Sequence, residues 1–299
     1  MNAPTPTLLV TGAAGHLGRA TLAHLLDTLE IPADRVIATT RKPETLADLA
    51  ARGVTVRGAD FDDPASLPAA FAGAGRLLLV STDALLEPGK RLAQHRNAVD
   101  AAVKAGVEHV VYTSLPSPET SHVSFAPDHL GTEQALAASP LGWTVLRNAW
   151  YFENLAYAVP GALASGQWFS AAGEGGIAYI ARDDLARAAA VALAAGDNGN
   201  RTLTLTGAQA LTARQVAARI GVLAGKPLEV VDVDIAQLIE GLLAHGFPPA
   251  LADVFASFDA ATAAGDLGEV TDDYTRLTGK VPQSFETWLA DNASTLIGG

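Results

Sequence analysis

The 299-residue chain contains no cysteine and little lysine. The absence of cysteine excludes disulfide bonds, thiolate catalysis and cysteine-ligated zinc or iron–sulfur sites. Charged residues are also scarce, at 17% against 49% hydrophobic residues, so the composition excludes disorder caused by high charge and low hydrophobicity. We therefore expect the chain to fold around a sizeable core. The only lysines are Lys42, Lys90, Lys104, Lys226 and Lys280.

Basic side chains are outnumbered by acidic ones, 20 to 32, which gives a formal net charge of -12. Such a surface repels phosphate backbones, so nucleic acid is not an expected partner. Apolar runs such as residues 77–80 are far too short to span a bilayer, and the N-terminus lacks the pattern of a signal peptide. We expect a cytoplasmic protein without a membrane partner, while self-association into a homo-oligomer stays open.

Short apolar runs alternate with helical patterns through the first half of the chain. Strands that recur between helices are typical of βαβ units. The sequence therefore predicts an α/β fold with a doubly wound parallel sheet. The predicted strands are residues 8–11, 36–40, 54–59, 77–81, 109–114 and 143–147, and the predicted helices follow Gly15 and cover 44–51, 65–71 and 92–105.

The second half of the chain has a less regular pattern. A helix over 180–194 and a strand over 201–206 are expected to rejoin the sheet. Thr212 and Gln215 have the spacing of a capping box in front of a further helix. We expect a main domain and a smaller C-terminal α/β lobe at the carboxyl edge of the sheet, where open α/β sheets bind ligands. The main domain would comprise residues 1–148 with 177–206, and the smaller lobe 149–176 with 207–299.

Three glycines mark the turn between the first strand and the first helix. Gly12 would allow a tight turn, Gly15 would let the backbone approach a pyrophosphate, and Gly18 would let the helix pack on the strand. This strand–turn–helix setting predicts nucleotide binding, with a plain strand–helix turn as the alternative. The residues expected to contact the nucleotide here are Gly12, Ala14, Gly15, His16 and Leu17.

The end of the second strand, residues 38–42, lacks the carboxylate that usually binds the ribose 2′-hydroxyl of NAD. Arg41 can instead bind a 2′-phosphate through its planar guanidinium, and Lys42 adds positive charge. NADP(H) is therefore the expected cofactor, and a solvated basic pair is the alternative. Asp60 and Phe61, after the third strand, are expected to frame the adenine.

Hydroxyl side chains end the fourth and fifth predicted strands. Either Ser81 with Thr82, or Thr113 with Ser114, is expected to line the nicotinamide ribose, although helix capping explains such residues equally well. Other chemistry is not indicated, because the sequence has no His-Glu-x-x-His zinc motif, no nucleophile elbow and no ATPase phosphate loop. No metal is expected.

Six segments together resemble the NmrA-like group of atypical short-chain dehydrogenases/reductases, and within it the bacterial NADPH-dependent quinone oxidoreductases of type 2. They occur in the same order as in that family. The resemblance implies a Rossmann-type fold, NADPH binding and hydride delivery to a small quinone in a cleft between the lobes. The segments are the glycine turn 12–18, Arg41-Lys42-Pro43, Gln94-His95-Arg96-Asn97, Tyr112-Thr113-Ser114-Leu115, residues 146–151 and Ala171-Ala172-Gly173.

The chain departs from mainstream short-chain dehydrogenases in lacking their Tyr-x-x-x-Lys pair. No tyrosine is followed by a lysine four positions later, and Gln134 stands where the compared family has a lysine beside the glutamate. Sugar epimerisation and alcohol oxidation need that strong proton relay, so both are disfavoured. Quinone reduction does not need it, because the acceptor takes hydride readily and the resulting oxyanion is a weak base.

Four side chains are candidates for the acceptor site. Asn148 would donate a hydrogen bond to the developing oxyanion, and Trp150 and Tyr151 would form aromatic walls, with ordinary packing as the alternative. His129 would donate a proton near neutral pH, unless it is structural or merely exposed. Two functions stay open. One is an NADPH-dependent reductase of quinones or similar electron-poor conjugated acceptors, and the other is a non-catalytic NADP(H) sensor, as known in the NmrA-like group.

Overall fold

The computed structural model describes residues 6–197 and 199–297. Most of its strands are short and follow apolar runs of the sequence. In chain order the strands are β1 Leu8–Val10, β2 Val36–Thr40, β3 Thr55–Gly58, β4 Arg76–Leu79, β5 His109–Ser114, β6 Gly142–Asn148, β7 Gln167–Ser170, β8 Gly176–Ile177, β9 Arg201–Leu205, β10 Leu211–Thr212 and β11 Glu229–Asp232.

Seven strands form one sheet in the order β3-β2-β1-β4-β5-β6-β9. The pairs from β3 through β6 are all parallel, and β1 is aligned with both neighbours, so that Val10 lies opposite Ala38 and Leu78. Every residue of β1, β4 and β5 is buried, as expected for a parallel sheet covered on both faces. The strand order reverses between β1 and β4, which places a crevice at their carboxyl ends. The predicted doubly wound parallel sheet is confirmed.

Helices connect the strands. They are α1 His16–Ala23, α2 Ala47–Ala51, α3 Leu67–Phe71, α4 Lys90–Lys104, α5 Ala126–Ala138, α6 Val159–Ser165, α7 Arg182–Ala194, α8 Ala213–Ala224, α9 Ile235–Ala244, α10 Pro249–Ala263, α11 Asp273–Thr278, α12 Phe285–Asp291 and α13 Ala293–Ile297. A π-helical turn, His24–Thr28, continues α1, and 3₁₀ turns occur at Ala33–Arg35, Pro43–Leu46 and Phe152–Tyr157. The capping box of Thr212 and Gln215 is present at the start of α8.

The chain divides into two compact units. The first contains the described part of residues 1–114 together with Asp128–Arg147 and Leu185–Leu203, and the second contains Leu115–Pro127, Asn148–Asp184 and the described residues from Thr204 onward. Residue 148 and the segments 115–127, 177–184 and 204–206 thus fall in the second unit, unlike in the expected division. For 115–127 the reason is a small core in which Leu115, Val123 and Ala126 pack with Ala261 and Leu267.

Each unit has its own hydrophobic core. In the first, residues of β1, β4 and β5 such as Leu9, Leu77 and Val110 pack with Phe71 of α3 and Ala102 of α4. In the second, aromatic side chains of two helical segments, the 3₁₀ turn Phe152–Tyr157 and α12, pack on one another. Phe152 lies 5.2 Å from Trp288 and 5.3 Å from Phe285 between ring centroids. Within the described residues, no helix has both the length and the apolar character needed to cross a bilayer.

Candidate functional site

The turn between β1 and α1 has a backbone that requires glycine at two positions. Gly12 has a φ of 58°, in the left-handed region that residues with a Cβ avoid. A Cβ on Gly18 would lie 2.4 Å from the carbonyl oxygen of Gly12, so a glycine is needed for α1 to pack against the turn. The amide of Gly15 donates to the same oxygen at 2.9 Å.

The start of α1 leaves an electropositive helix end beside this turn. Gly15 is the N-cap residue, and no side chain caps the helix. The first amides of a helix have no intrahelical acceptor and carry a partial positive charge, so they bind anionic groups such as phosphates. The local structure therefore has the chemistry that a pyrophosphate requires.

A pocket of about 290 Å³ opens next to the turn, at the carboxyl ends of β1 to β4. It lies entirely within the first unit. Eight of the residues expected to bind cofactor line it, namely Gly12, Ala14, Gly15, Arg41, Asp60, Phe61, Ser81 and Thr82. Six further residues line it that the sequence reasoning did not single out as contacts, namely Thr39, Thr40, Ala59, Val80, Asp83 and Gln94.

Of the residues expected to contact the cofactor, His16, Leu17 and Thr113 are among those that do not line the pocket. His16 is exposed at the start of α1, and Leu17 is buried beneath the turn. Thr113 is also buried, but its hydroxyl accepts a hydrogen bond from the backbone amide of Ser81 at 2.9 Å. Thr113 therefore supports a residue that lines the pocket.

Arg41 stands exposed at the end of β2, on the pocket wall. No hydrogen bond or ion pair engages its side chain within the described parts of the chain. The described residues thus leave its guanidinium open for a ligand, in contrast to Arg19 and Arg52, which pair with Asp48 and Asp27. An unpaired guanidinium at this position can bind a phosphate with two parallel hydrogen bonds.

Two loops form opposite walls of the pocket. We call residues 59–61 the β3 wall and residues 80–83 the β4 wall, after the strands that precede them. Three successive backbone amides of the β4 wall, those of residues 80–82, donate to buried side chains from three different parts of the chain. The acceptors are, in order, Thr11 Oγ1 at 3.0 Å, Thr113 Oγ1 at 2.9 Å and His95 Nε2 at 3.0 Å.

The expected acceptor residues Asn148 and Tyr151 belong to the second unit. Asn148 ends β6 and is 7% exposed, and its Oδ1 has no hydrogen-bond partner among the described residues. A buried amide oxygen without a partner is costly, so Oδ1 is suited to accept a hydrogen bond from a ligand, whereas the expected donation to an oxyanion would use Nδ2. Tyr151 is half-buried, with the guanidinium of Arg182 5.6 Å from its ring centroid. Trp150 packs on Phe258 at 4.0 Å between ring centroids.

His129 lies in the first unit, on α5, and is 3% exposed. Its Nε2 accepts from Arg91 at 2.9 Å, and its Nδ1 contacts the Tyr112 hydroxyl at 2.7 Å. Burial, followed by the positive charge of Arg91, holds the pKa of His129 well below its usual value. A neutral imidazole enclosed in this way does not fit the expected role of proton donor near neutral pH. In the structure the ring lies instead in a buried set of hydrogen bonds with Arg91 and Tyr112.

The strand order, the glycine turn and the pocket at the carboxyl strand ends define a Rossmann-type α/β protein. The chain belongs to the NmrA-like family, whose model matches residues 4–289. It is 37% identical over 289 residues to Quinone oxidoreductase 2 of Escherichia coli (strain K12), covering 97% of this chain and 98% of that protein.

Solved structures are similar over nearly the whole chain. The NADPH-dependent quinone oxidoreductase QOR2 of Escherichia coli, complexed with NADPH, matches with a TM-score of 0.89 and 36% identity, over 95% of this chain and 98% of that one. The Citrobacter triphenylmethane reductase complexed with NADP(H) matches with a TM-score of 0.86 and 31% identity, over 95% and 99% of the two chains. Both likenesses extend through both units.

Proposed function

We propose that this protein is an NADPH-dependent reductase that transfers hydride to a quinone or a similar electron-poor conjugated acceptor. The observation that carries the proposal is the pocket of the first unit, in which an uncapped helix start and an unpaired Arg41 face one ligand site. Relatives named as a quinone oxidoreductase and a triphenylmethane reductase support the same chemistry.

The donor set of the pocket fits NADPH. The amides at the start of α1 suit the pyrophosphate, and Arg41 suits the 2′-phosphate. No carboxylate follows β2 to bind a free 2′-hydroxyl, since residues 38–42 read Ala-Thr-Thr-Arg-Lys. The β3 wall, with Asp60 and Phe61, would hold the adenine, and Ser81 and Thr82 of the β4 wall would line the nicotinamide ribose. When bound, the reduced nicotinamide supplies the hydride.

Residues of the second unit would hold the acceptor. The Asn148 amide would donate to the carbonyl oxygen of the acceptor, which becomes an oxyanion when a ring atom receives the hydride. Trp150 and Tyr151 would pack against the conjugated ring. Because the oxyanion of a hydroquinone is a weak base, a proton from water completes the reduction. The mechanism therefore assigns no proton to His129, which is buried and neutral.

The test is acceptor-dependent oxidation of NADPH by the purified protein. The panel contains benzoquinones, naphthoquinones and triphenylmethane dyes, and loss of the NADPH absorbance is followed with and without protein. We expect oxidation to depend on both protein and acceptor, and to be slower with NADH. Tight NADPH binding without turnover of any acceptor would reject the reductase and favour the non-catalytic NADP(H) sensor.

A further inference from the structure

The segment Gln94-His95-Arg96-Asn97 of α4 has no part in the function proposed above, although it stood out in the sequence. In the structure, three of its four side chains reach the loops that form the pocket walls. Arg96 is the exception and is exposed. The remaining three side chains divide between the two walls, because successive positions on a helix point about 100° apart.

Gln94 and Asn97 lie on the side of α4 that faces the loop after β3. Asn97 Nδ2 donates to the carbonyl oxygen of Phe61 at 2.9 Å, and Gln94 Nε2 donates to Asp62 Oδ1 at 3.0 Å. The amide of Asp62 in turn donates to Asp60 Oδ1 at 3.0 Å. Asn97 thus holds the backbone of the β3 wall directly, whereas Gln94 holds Asp62, the next residue, whose amide bonds to the Asp60 carboxylate.

His95 reaches the β4 wall. Its Nε2 accepts from the backbone amide of Thr82 at 3.0 Å, so the proton of the neutral ring must be on Nδ1. Nδ1 then donates to Thr132 Oγ1 at 2.9 Å, and the Thr132 hydroxyl donates to the carbonyl oxygen of Asp128 at 2.7 Å. Nδ1 of His95 also lies 3.4 Å from the Tyr112 hydroxyl oxygen. With its proton on Nδ1, the His95 ring has only Nε2 as an acceptor, and Nε2 accepts from the Thr82 amide.

The protonation state of His95 agrees with this role. The side chain is fully buried, and burial, followed by the positive charge of Arg91, lowers the pKa of His95 to about 3. The ring therefore stays neutral at any pH at which the protein is expected to work. A protonated ring would have no acceptor for the Thr82 amide.

The two walls follow strands that are not neighbours in the sheet, so no ladder hydrogen bond joins one wall to the other. The strands β3 and β4 are separated by β2 and β1, a distance of roughly 14 Å at the usual strand spacing. Adjacent strand ends hold each wall separately. The amide of Ala59 donates to the carbonyl oxygen of Thr40, and the amides of residues 80 and 81 donate to Thr11 and Thr113. Helix α4 is one rigid element that contacts both loops.

We propose that Gln94, His95 and Asn97 form a clamp, the α4 clamp, that sets the positions of the β3 wall and the β4 wall and thereby positions a bound dinucleotide. These three are positioning residues, since none is assigned a contact with reacting atoms. The proposal rests on the proposed function, because it concerns the same pocket. The clamp gives a role to the segment Gln94-His95-Arg96-Asn97, which contacts with the cofactor alone do not explain.

If the α4 clamp positions the dinucleotide, substitutions that release the β3 wall and those that release the β4 wall should affect ligand binding differently. Removing the contact to the β3 wall, in Asn97→Ala, should weaken binding of both NADPH and 2′-phospho-ADP-ribose, which lacks the nicotinamide. Removing the contact to Thr82, in His95→Leu, should weaken NADPH binding by about tenfold and binding of the fragment much less. His95→Gln should restore most of the NADPH affinity, because its amide oxygen can accept from Thr82.

The experiment measures both dissociation constants by titration calorimetry for the whole protein, with thermal unfolding of each variant as a check on folding. Arg96→Ala is the control within the motif, and His109→Leu is the control for loss of a buried histidine elsewhere in the same unit. Both controls should keep the wild-type affinities. Unchanged NADPH affinity in the His95 and Asn97 variants, or equal weakening by His109→Leu, would overturn the α4 clamp alone. Failure of the wild-type protein to bind NADPH would overturn the proposed function and the clamp with it.

Discussion

Arg76 donates from its Nε to the carbonyl oxygen of Leu193 at 2.8 Å, which joins the start of β4 to the last turn of α7. Its other guanidinium nitrogens donate to the carbonyl oxygens of Ala192 and Asp197. Arg76 is 2% exposed. Carbonyls at a helix C-terminus have no intrahelical donor and carry partial negative charge, so a buried cation stabilises them.

Replacement of this arginine tests the contact. Arg76→Met keeps much of the side-chain volume but leaves three carbonyl oxygens without their donor, so the free energy of unfolding should fall by about 3 kcal/mol. Urea denaturation measures the change. Arg96→Ala, at an exposed position, should change it by less than about 0.5 kcal/mol. A loss equally small in Arg76→Met would mean that water satisfies these carbonyls.

Arg41 is expected to decide between the two nicotinamide cofactors. Arg41→Ala should weaken NADPH binding by roughly tenfold or more, because a charge-assisted hydrogen bond to the 2′-phosphate is lost. NADH binding should change little, since NADH has no such phosphate. The dissociation constants are measured by fluorescence titration at low salt, where an exposed charge acts most strongly. Equal losses for both cofactors would show that Arg41 does not bind the 2′-phosphate.

Gly18 is expected to tolerate no Cβ. In Gly18→Ala the new methyl group would meet the carbonyl oxygen of Gly12, so α1 must shift, which should lower the free energy of unfolding by about 2 kcal/mol. NADPH binding should weaken as well, because the shift moves the amides at the helix start. Gly161→Ala in α6 is a matched control, since a Cβ there meets no atom within 4 Å. If Gly18→Ala has the same free energy of unfolding as Gly161→Ala, the structure relieves the contact with the Gly12 carbonyl oxygen without loss of stability.

His109 is expected to contribute to acid destabilisation. Burial, followed by the charge of Arg76, lowers the pKa of His109 to about 4, from 6.5 for an unperturbed imidazole. Between these values the unfolded chain binds a proton that the folded protein does not, so stability rises with pH through this window and is lost on acidification.

Replacing the ionisable group should remove this dependence. Between pH 6.5 and pH 4, wild type should lose more unfolding free energy on acidification than His109→Gln. The gap between the two proteins should change by up to about 1.4 kcal/mol per pH unit. Above pH 6.5 the difference should be constant. Urea denaturation over a pH series measures it. Parallel curves for the two proteins through the window would contradict the lowered pKa.

Asn148 is expected to act in turnover rather than in cofactor binding. Asn148→Ala should lower kcat for quinone reduction by at least about tenfold, because one donor to the oxyanion is lost. The dissociation constant for NADPH should stay the same, as the residue lies outside the pocket of the first unit. Steady-state kinetics and fluorescence titration separate the two quantities. Loss of NADPH affinity with an unchanged kcat would remove Asn148 from the acceptor site.

The regular part of the fold could be predicted because its signals are local. Short buried runs such as residues 36–40 and 109–114 coincide with β2 and β5, and the glycine turn lies where its spacing places it. Helix α5 was missed because Pro127 and Gly131 interrupt its pattern. In the structure Gly131 faces Leu92 of α4 so closely that a Cβ would lie 2.8 Å from the leucine Cδ1. Close packing of α5 against α4, rather than helix propensity, explains why a glycine occupies position 131.

At the candidate site, too, features set by neighbouring residues could be predicted, and features set by tertiary packing could not. Pocket residues that directly follow a strand, such as Arg41 and Asp60, could be chosen from order along the chain. The burial of His129 could not, because its partners Arg91 and Tyr112 are distant in sequence and meet it only through the packing of α4, α5 and β5. For the same reason Gln94 was recognised as part of a motif but not as part of the pocket lining.

Sequence alone determined the doubly wound sheet, the nucleotide-type turn and the basic residue beside it, because strand periodicity, glycine spacing and residue chemistry act over a few neighbouring positions. Tertiary structure decided which polar side chains line the pocket and which are enclosed. His95 and His129 are both histidines on helices, yet one supports the β4 wall and the other lies in a closed hydrogen-bond network. That difference depends on helix rotation and packing, which fix the donor or acceptor each ring nitrogen meets.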